Sequence, residues 1–455
     1  MDVIAIIGGG ITGLSAALRL HEAGVPFLLL EAESRLGGKI LTERVGGFIV
    51  EGGPDCFLAS KPDGVALAHH LDLDSRLCST DPAHRGTYVR RNGRLHRLPE
   101  GLTGLVPTRV GPLLSTGTLT RLGRLRASLE PFIRAGAPND DETIARFARR
   151  RFGREAYDWL IEPLLSGIYA GDGEQLSLDA TFPLLAELER REGSVLRAMA
   201  RRRSGSAGFV TLVRGMAEMV EALARRLPGE QLRLGSAVVA LESRGSAFQV
   251  ELAHGPALAA DRVILAIPAP VAARLADHFD RGLGDELRGI PFVSTATVSL
   301  GYASGSLRQP LSGYGFLSPR AAGGAIVAGT WTSNKFPGRA PTGATLVRFF
   351  IGRTGAERTL EQPDDVLIHL ARSEMSRIAG VSATPALARV FRWPQSMPQY
   401  VVGHRARLDR IARLVARHPG LSLAGASYSG VGIPDCIASG WAAAEDAIAQ
   451  IGAAA

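Results

Sequence analysis

A glycine-rich turn near the start of the chain constrains the fold more than any other feature. The turn, Gly8–Gly13 with the sequence GGGITG, follows the apolar run Val3–Ile7 and leads into a helical pattern over about 13–23. A second apolar run, Pro26–Glu31, ends in an acid 23 residues after Gly8. This order of strand, glycine turn, helix and strand predicts one βαβ unit.

Within a βαβ unit, such a turn predicts a dinucleotide site. The glycines let the backbone turn tightly and approach a pyrophosphate, while the helix N-terminus presents its N–H groups to the phosphates. An acid at the end of the second strand fits an unphosphorylated ribose better than a 2′-phosphate. A glycine turn in an ordinary α/β domain is the alternative, and the complete unit disfavours it. The residues predicted to hold the dinucleotide are Gly8, Gly10, Ile11, Thr12, Gly13 and Glu31.

Two further glycine pairs extend the fingerprint and point to FAD. Arg35–Lys39 carries Gly37 and Gly38 after a basic residue, an extension that NAD-type domains do not need. These residues provide a second backbone cradle for the pyrophosphate, and Arg35 adds positive charge. The strand-like Phe48–Glu51 then enters Gly52 and Gly53, where backbone could lie against a flavin ring. A surface turn and a hairpin end remain the alternatives for these two pairs.

Composition narrows the classes of function. Lys and Arg exceed Asp and Glu by 52 − 44 = 8, and only three of the 52 are Lys. This excess favours anionic ligands or anionic membrane surfaces, with compositional bias of the source genome as the alternative. The three Cys are far apart, which predicts a reducing compartment, no disulfide framework and no metal site. The Met-Asp start has no basic n-region and the sequence has no clean apolar run of about 20 residues, so we expect no signal peptide and no spanning helix.

The chain pattern predicts an α/β protein made of interleaved stretches. We expect a discontinuous Rossmann-like FAD-binding domain, a substrate domain with a mixed sheet, and a helical insert in which strand-like runs disappear. The FAD-binding domain takes 1–84, 205–288 and 393–455, the substrate domain takes 85–100 and 289–392, and the insert takes 101–204. In the insert, Asn139–Glu142 predicts the start of a helix that ends at Phe152. The stretch Gly101–Ala135 has five Arg, among them Arg109, and one acid, so it fits either membrane docking or a cap packed on the protein.

Four segments spread along nearly the whole chain resemble the oxygen-dependent protoporphyrinogen/coproporphyrinogen III oxidases, a family of GG-motif flavoproteins. The segments are Glu51–Phe57, Leu165–Ser177, Arg392–His404 and Gly425–Ile437. The resemblance implies FAD-dependent oxidation of a porphyrinogen in haem synthesis. Six electrons would leave the substrate in three flavin cycles, with O₂ as the acceptor and H₂O₂ as the product.

The resemblance also implies site residues. Arg85 would bind a propionate, although the nearby Arg90, Arg91, Arg94 and Arg97 leave that choice open. Leu317 and Phe336 would line the slot for the tetrapyrrole, and Gly167 and Gly171 would bring backbone close to the reacting ring. A helix starting near Pro434 would place its N-terminus at the flavin, and Val238 would pair its backbone with adenine. The further cofactor residues are Gly38, Lys39, Gly52, Gly53, Pro54, Asp55, Trp393, Gly425, Val431, Gly432 and Ile433.

Several alternatives stay open from the sequence. The form of Ile433–Cys436 resembles coproporphyrinogen users, whereas Arg85 resembles the protoporphyrinogen type. An amine oxidase or a carotenoid desaturase could use the same scaffold, with Lys335 as the only late lysine. A noncatalytic porphyrin or flavin carrier is a hypothesis of another class. The expected partners are a porphyrinogen, O₂ and a haem-pathway chelatase, without nucleic acid, for a cytoplasmic monomer or homodimer in peripheral contact with the inner face of the membrane.

Overall fold

The computed structural model describes residues 3–99, 102–103, 105–107, 110–136, 141–201, 208–245 and 247–452. Arg109, Asn139 and Asp140 lie outside these ranges, as do the predicted domain limits at 101 and at 204–205. The domain boundaries therefore stay a prediction, and the architecture below concerns the described residues.

The described residues form twenty-two strands. In chain order, β1 to β22 are Ile4–Ile7, Phe27–Leu30, Thr42–Val45, Phe48–Glu51, Phe57–Leu58, Leu77–Ser79, Thr87–Arg91, Arg94–Arg97, Leu102–Thr103, Val106–Pro107, Phe209–Leu212, Leu232–Arg233, Val238–Arg244, Ala247–Leu252, Leu258–Ala260, Arg262–Leu265, Phe292–Tyr302, Gly315–Leu317, Ile326–Thr330, Thr345–Ile351, Leu387–Pro398 and Leu421–Leu423.

The same residues form seventeen α-helices, besides short 3₁₀ turns and one π-helical turn. In chain order, α1 to α17 are Ile11–Glu22, Pro62–His70, Val110–Ser115, Arg121–Ser128, Ile144–Phe152, Arg154–Ala156, Glu162–Tyr169, Leu178–Thr181, Pro183–Glu192, Val195–Arg201, Ala217–Arg226, Ala269–Ala276, Arg281–Arg288, Thr332–Lys335, Asp364–Ala379, His404–Val415 and Ile433–Gly452.

A five-stranded parallel sheet carries the predicted dinucleotide fingerprint. Its order is β12-β2-β1-β16-β22, so the central strand comes from the start of the chain and an edge strand from near its end. Side chains alternate across β1: Ile4 and Ile6 pack towards α1, α2, α11 and α17, while Ala5 and Ile7 pack towards α12, α13 and α16. The three separate stretches that build this sheet confirm the predicted discontinuous α/β fold.

Helix α17 closes this unit by packing on α1. A Cβ at Gly440 would lie 2.2 Å from the carbonyl oxygen of Thr12, so only glycine allows the two helix backbones to come this close. The contact places the N-terminal end of α17 beside the first turn of α1. Two helix N-termini therefore face the same end of the parallel sheet.

A seven-stranded mixed sheet forms the second unit, in the order β21-β17-β20-β19-β18-β7-β8. Its strands pair antiparallel, except that β18 and β7 run parallel. One face packs against α15 through an apolar cluster that includes Trp331, Phe349 and Met375. The sheet therefore joins the stretch near 87–97 to the stretch 292–398, as expected for a mixed substrate-side sheet.

Helices α3 to α10 form the insert, with their own buried core. A buried ion-pair network holds this core together: Glu130 accepts hydrogen bonds from Arg151 and from the first turn of α10, at Val195 N and Leu196 N. Both side chains of the Arg151–Glu130 pair have no exposed surface, so removing either partner would leave a buried charge uncompensated. Among the helices of the described chain, none is both long and apolar enough to cross a bilayer.

Several local predictions are corrected. The helix expected to begin at Asn139–Glu142 begins at Ile144, because the Thr143 hydroxyl caps it by accepting from Arg146 N. The insert is not free of strands, since β9 and β10 form a two-residue ladder. The stretch after Gly208, for which the sequence pattern indicated no strand, contains β11, which pairs with β5 and β6. In each case a short-range cap or a distant strand partner decides the local structure.

Candidate active site

The glycine turn after β1 has the shape of a phosphate cradle. Gly8 has a φ of +108°, and a Cβ there would lie 2.6 Å from the Ala266 carbonyl oxygen. A Cβ at Gly13 would lie 2.0 Å from Gly8 O, whereas a Cβ at Gly10 would meet nothing within 4 Å. Two glycines are therefore required by packing inside the protein, and the third leaves open space in front of the α1 N-terminus.

Glu31 lies at the end of β2 with 8% of its surface exposed. Its carboxylate accepts hydrogen bonds from Gly9 N at 2.6 Å and Glu33 N at 2.9 Å. Each carboxylate oxygen can accept more than one bond, so these contacts orient the group and leave capacity for ribose hydroxyls. The turn before Val238 lies beside this acid, because Ser236 N donates to Glu31 O at 2.8 Å.

The second glycine pair packs directly on the first turn. Gly37 N donates to Gly9 O at 2.8 Å, and a Cβ at Gly38 would lie 3.3 Å from Gly10 Cα. Arg35 folds back onto its own turn, donating to Gly38 O at 2.6 Å. Lys39 donates to the carbonyl oxygen of Ser396, and burial lowers the pKa of its ammonium group. Both cations therefore brace the backbone of the cradle.

The carbonyl of Gly52 is held by three side chains from the seven-stranded sheet. Trp393 Nε1 donates to it at 2.9 Å, Arg348 Nη2 at 3.1 Å and Thr297 Oγ1 at 3.2 Å. Arg348 also donates to Gly53 O, and a Cβ at Gly53 would lie 1.7 Å from Lys39 O. The Gly52–Gly53 turn is therefore fixed between the two units. Sequence reasoning named Trp393 but missed Arg348, although a charge inside the apolar strand TLVRFFI is a usable signal.

Asp55, Cys56 and Lys335 form a cluster just beyond this turn. Lys335 Nζ lies 3.0 Å from Asp55 Oδ2 and 3.3 Å from Cys56 Sγ, and it faces the rings of Phe209 and Phe336. Although burial opposes charge on both partners, the neighbouring Lys335 and Arg348 hold the pKa of Asp55 low and Asp55 keeps the pKa of Lys335 high. Burial, reinforced by Asp55, raises the pKa of the Cys56 thiol to about 12. Lys335 is thus committed to an internal ion pair.

Residues 425–432, here called the cofactor loop, connect β22 to α17. Gly425 and Gly430 have φ values of +114° and +144°. Gly425 N donates to Ser439 Oγ, and Gly432 N donates to Asp435 Oδ2 at 3.0 Å. A Cβ at Gly425 would lie 3.5 Å from the Thr12 hydroxyl, so the loop borders the first turn of α1. Ile433 is the first residue of α17, one residue earlier than expected from Pro434.

The cofactor loop and the mixed sheet both contact the insert core. Val431 from the loop and Leu317 from β18 pack, partly buried, against this core. A Cβ at Gly167 on α7 would lie 3.1 Å from Leu317 Cδ2. Gly171 follows two residues after the end of α7, where a Cβ would lie 2.4 Å from Gln399 Oε1. The structure thus brings Gly167 and Leu317 together in one partly accessible apolar patch and places Val431 on the same insert core.

The arginine cluster near β7 divides into engaged and exposed members. Arg90 is buried against Glu374 and over the ring of Phe316. Arg91 lies 2.8 Å from Glu155 and over the ring of Trp159. Arg85 and Arg94 are exposed, and Arg97 donates to the carbonyl oxygen of Arg85 at 3.2 Å. Structural ion pairs therefore occupy Arg90 and Arg91, which leaves the exposed Arg85 and Arg94 as candidates for binding an anionic ligand.

Phe336 does not share the accessible patch. Its side chain is fully buried and faces the cations of Lys335 and Arg339. The ring therefore has no accessible face in this structure, and the role of Phe336 in lining a slot together with Leu317 stays a prediction. Sequence reasoning could not separate the two residues, because both are apolar residues in apolar surroundings.

These residues fit FAD on structural grounds. The open space at Gly10, the buried acid Glu31 and the second cradle at Gly37–Gly38 suit an adenosine and a pyrophosphate. The fixed Gly52–Gly53 turn and the cofactor loop, with the α17 N-terminus behind it, form a glycine-rich surface that suits a flat ring. A helix N-terminus at that position favours negative charge.

The sequence of the chain is similar to those of known flavin-containing oxidoreductases. Residues 11–448 match the model of the flavin containing amine oxidoreductases. A coproporphyrinogen III oxidase of Bacillus subtilis is 37% identical over 98% of this chain and 98% of its own length. A protoporphyrinogen oxidase 1 of Arabidopsis thaliana chloroplasts is 30% identical over 95% of this chain and 85% of its own.

Solved structures share the fold. An Exiguobacterium protein assigned as a protoporphyrinogen oxidase superposes with a TM-score of 0.88 at 32% identity, covering 99% of both chains. Cyclohexylamine oxidase of Brevibacterium oxydans superposes with a TM-score of 0.73 at 18% identity over the same share, which shows the fold alone.

Proposed function

The chain belongs to the flavin containing amine oxidoreductase family, and from this premise we propose that it oxidises a porphyrinogen, with coproporphyrinogen III as the preferred substrate. It is a flavin-dependent oxidoreductase, and FAD is its cofactor. The observation that carries the substrate proposal is the contact between Gly167 of the insert and Leu317 of the mixed sheet, with Val431 of the cofactor loop on the same insert core. That patch offers apolar surface and exposed glycine backbone, which suits a large, flat substrate without need of a strong acid or base.

The chemistry divides between cofactor and chain. When bound, FAD supplies a two-electron acceptor for hydride transfer from carbon, with O₂ as the final oxidant. The balanced reaction is coproporphyrinogen III plus three O₂ giving coproporphyrin III plus three H₂O₂. The residues of the chain position the macrocycle and exclude water, because hydride transfer depends mainly on orientation.

In this proposal each part of the patch has a role. Leu317 packs against one face of the macrocycle, and Gly167 and Gly171 let its edge approach the cofactor. Arg85 binds a propionate at the exposed edge through a charge-assisted hydrogen bond. Arg90 and Arg91 hold the sheet and the insert together instead, through Glu374 and Glu155.

Three rival functions are less well supported. An amine oxidase on this scaffold would need Lys335 at the cofactor, yet its ammonium is paired with Asp55. A carotenoid desaturase needs no propionate-binding cation, so Arg85 would be dispensable. A noncatalytic carrier would bind porphyrinogen but would not oxidise more than one equivalent per protein molecule.

We also propose that the chain works in the cytoplasm, in contact with the inner face of the membrane. Helix α4 and the turn after it present an outward apolar stripe, formed by Leu122, Leu125, Leu129 and Phe132, which are 78%, 57%, 43% and 81% exposed. Arg121 and Arg134 flank this stripe and are exposed as well. Such a surface suits the interface of an anionic bilayer. The porphyrin product would pass to a haem-pathway chelatase, and the chain would act as a monomer or homodimer.

The first test is porphyrin fluorescence over time in air, with coproporphyrinogen III and protoporphyrinogen IX in parallel. We expect FAD-loaded protein to oxidise coproporphyrinogen III many times faster than the spontaneous reaction and for many equivalents per protein. A faster rate with protoporphyrinogen IX would reverse the substrate preference. No rate above background with either substrate, in protein that retains FAD, would refute the proposed function.

A further inference from the structure

Residues 399–404, here called the strap, lie between the insert and the cofactor loop. On the insert side, Gln399 Nε2 donates to Tyr169 O at 2.9 Å and Ser177 N donates to Tyr400 O at 2.8 Å. Gly403 N donates to Asp141 Oδ2 at 2.7 Å. The strap is therefore anchored on the substrate side by contacts with three insert residues.

On the other side, the strap holds the cofactor loop through two stacked rings. The Tyr400 hydroxyl donates to Ala426 O at 2.6 Å and accepts from Gly430 N at 2.8 Å. His404 Nε2 lies 3.0 Å from Tyr428 O, and its ring stacks on Tyr400 with 4.2 Å between centroids. One hydroxyl thus closes the loop across a span of four residues.

The hydroxyl of Tyr400 has no solvent alternative. The residue is 1% exposed, so loss of its hydroxyl would leave the partly buried Ala426 O and Gly430 N without this partner. A buried polar group that loses its partner is costly, whereas most surface contacts are not. The Tyr400 oxygen therefore joins the two ends of the loop segment between Ala426 and Gly430.

We propose that Tyr400 is a positioning residue for the flavin: its hydroxyl sets the shape of the cofactor loop and thereby the placement of Val431–Ile433 and the α17 N-terminus against the cofactor. This role concerns the placement of FAD and does not depend on which porphyrinogen the enzyme oxidises. It also explains why the strap touches the insert and the loop at once, since the same backbone then aligns the substrate patch with the cofactor.

The test is Tyr400→Phe, which removes only the hydroxyl. The probe is FAD alone, added to the apoprotein, with the dissociation constant, the visible circular dichroism of the bound flavin and its midpoint potential as readouts. We expect FAD to bind about tenfold more weakly. At saturating FAD we expect an altered visible circular dichroism and a lower potential, because a displaced helix N-terminus stabilises negative charge on the ring less well.

A matched control separates positioning from general damage. Tyr169→Phe removes a hydroxyl of the insert that makes a 3.4 Å contact with Thr181 O. This variant should keep the FAD affinity within about twofold and the flavin spectrum unchanged. If Tyr400→Phe matches the wild type in all three readouts, or if the control changes them equally, the proposal is wrong.

A second variant covers the case in which Tyr400→Phe fails to fold. His404→Leu keeps the Tyr400 hydroxyl but removes the stacked ring and the contact with Tyr428 O. We expect the same three readouts to change in the same direction by a smaller, few-fold amount. An unchanged flavin spectrum in folded His404→Leu would overturn the proposal. None of these readouts measures porphyrinogen turnover. The test of Tyr400 can therefore be interpreted even if the protein fails the oxidase assay.

Discussion

Arg85 differs from Arg90 and Arg91 in that no ion pair with another described residue holds its side chain. Arg91 is tied to Glu155 and Trp159, while Arg85 is exposed beside the mixed sheet. We expect Arg85→Ala to raise the KM for coproporphyrinogen about tenfold with a nearly unchanged kcat, because a charge-assisted contact with a propionate is lost. Steady-state fluorescence assays measure both constants. The exposed Arg94→Ala serves as the control, and an equal effect there would contradict a specific role for Arg85.

Substitution of Lys335 distinguishes a porphyrinogen oxidase from an amine oxidase with the same fold. Lys335→Met should cost about 3–5 kcal/mol of unfolding free energy, since it leaves the buried Asp55 carboxylate without its ammonium partner. Turnover of porphyrinogen per folded, FAD-loaded molecule should stay within about twofold. Denaturant unfolding and the fluorescence assay measure the two effects.

The double variant Lys335→Met/Asp55→Asn is the control for the stability loss. It removes the orphaned charge, so part of the lost stability should return. Loss of turnover in folded Lys335→Met protein that still binds FAD would instead favour a lysine-dependent mechanism.

The buried His404 should make the folded protein less stable at acidic pH. Burial lowers the pKa of its imidazole, with the nearby Arg407 acting in the same direction and Tyr428 O and Asp141 opposing it. The unfolded chain takes up this proton near pH 6.5 and the folded chain only at lower pH, so the free energy of unfolding falls as pH drops below about 6.5. Denaturant titrations at pH 7.5 and about pH 5.5 should show a smaller loss for His404→Gln than for the wild type. Equal losses in both proteins would exclude His404 as the cause.

At the scale of elements, α4 is oriented with its apolar face outward. Leu122, Leu125 and Leu129 recur at helical spacing, yet all three are exposed. We expect flotation with vesicles that contain anionic phosphatidylglycerol, and weaker binding to pure phosphatidylcholine or at high salt. Leu125→Ser/Leu129→Ser should lower the bound fraction at least tenfold, since burying each leucine is worth about 1.5–3 kcal/mol.

The control for the stripe is Val239→Ser. Val239 is 50% exposed on β13, on the antiparallel β13–β15 sheet and away from α4. Its substitution should leave vesicle binding unchanged. If the leucine variants bind like the wild type, the stripe serves another purpose.

The elements that the sequence predicted well are those whose signals are local. The βαβ unit around Gly8–Gly13 was predictable because its glycines, apolar runs and acid all lie within 31 residues. The strand β11 was missed, because its exposed Phe209 and short length give no clear period and its partners lie in β5 and β6. Strand pairing over such separations depends on tertiary packing, which a local pattern does not contain.

The candidate site shows the same division. The glycine motifs predicted the cradle, since most of these glycines are needed by a local turn or a close approach, as at Gly8, Gly13 and Gly53. Arg348, Thr297 and Tyr400 were missed as site residues, because they act on Gly52, Gly53, Ala426 and Gly430 only after distant strands and loops meet. The sequence also could not predict that Arg85 is exposed while Arg90 and Arg91 form ion pairs, because all five arginines near β7 look alike in the sequence.

At the scale of the whole molecule, we expect bound FAD to contact both the parallel-sheet unit and the mixed-sheet unit. FAD should therefore raise the free energy of unfolding. The cradle belongs to the parallel sheet, while Gly52 is held by Trp393 and Arg348 from the mixed sheet. Free FAD at 100 times its Kd should raise the unfolding free energy by about 2.7 kcal/mol. Thermal melts of apoprotein at increasing FAD concentrations measure this effect. A melting temperature that does not change with FAD would contradict the proposed cofactor site.

The position of α17 also has a consequence for biosynthesis. The close contact of Gly440 with Thr12 joins the first and the last helix of the parallel-sheet unit, and β22 completes its edge. While the ribosome is still translating the residues between them, β1 and α1 emerge with their apolar faces uncovered and the cradle unfinished. The nascent chain therefore needs protection by a chaperone or by its own transient contacts, and cofactor loading has to wait until α17 has left the exit tunnel.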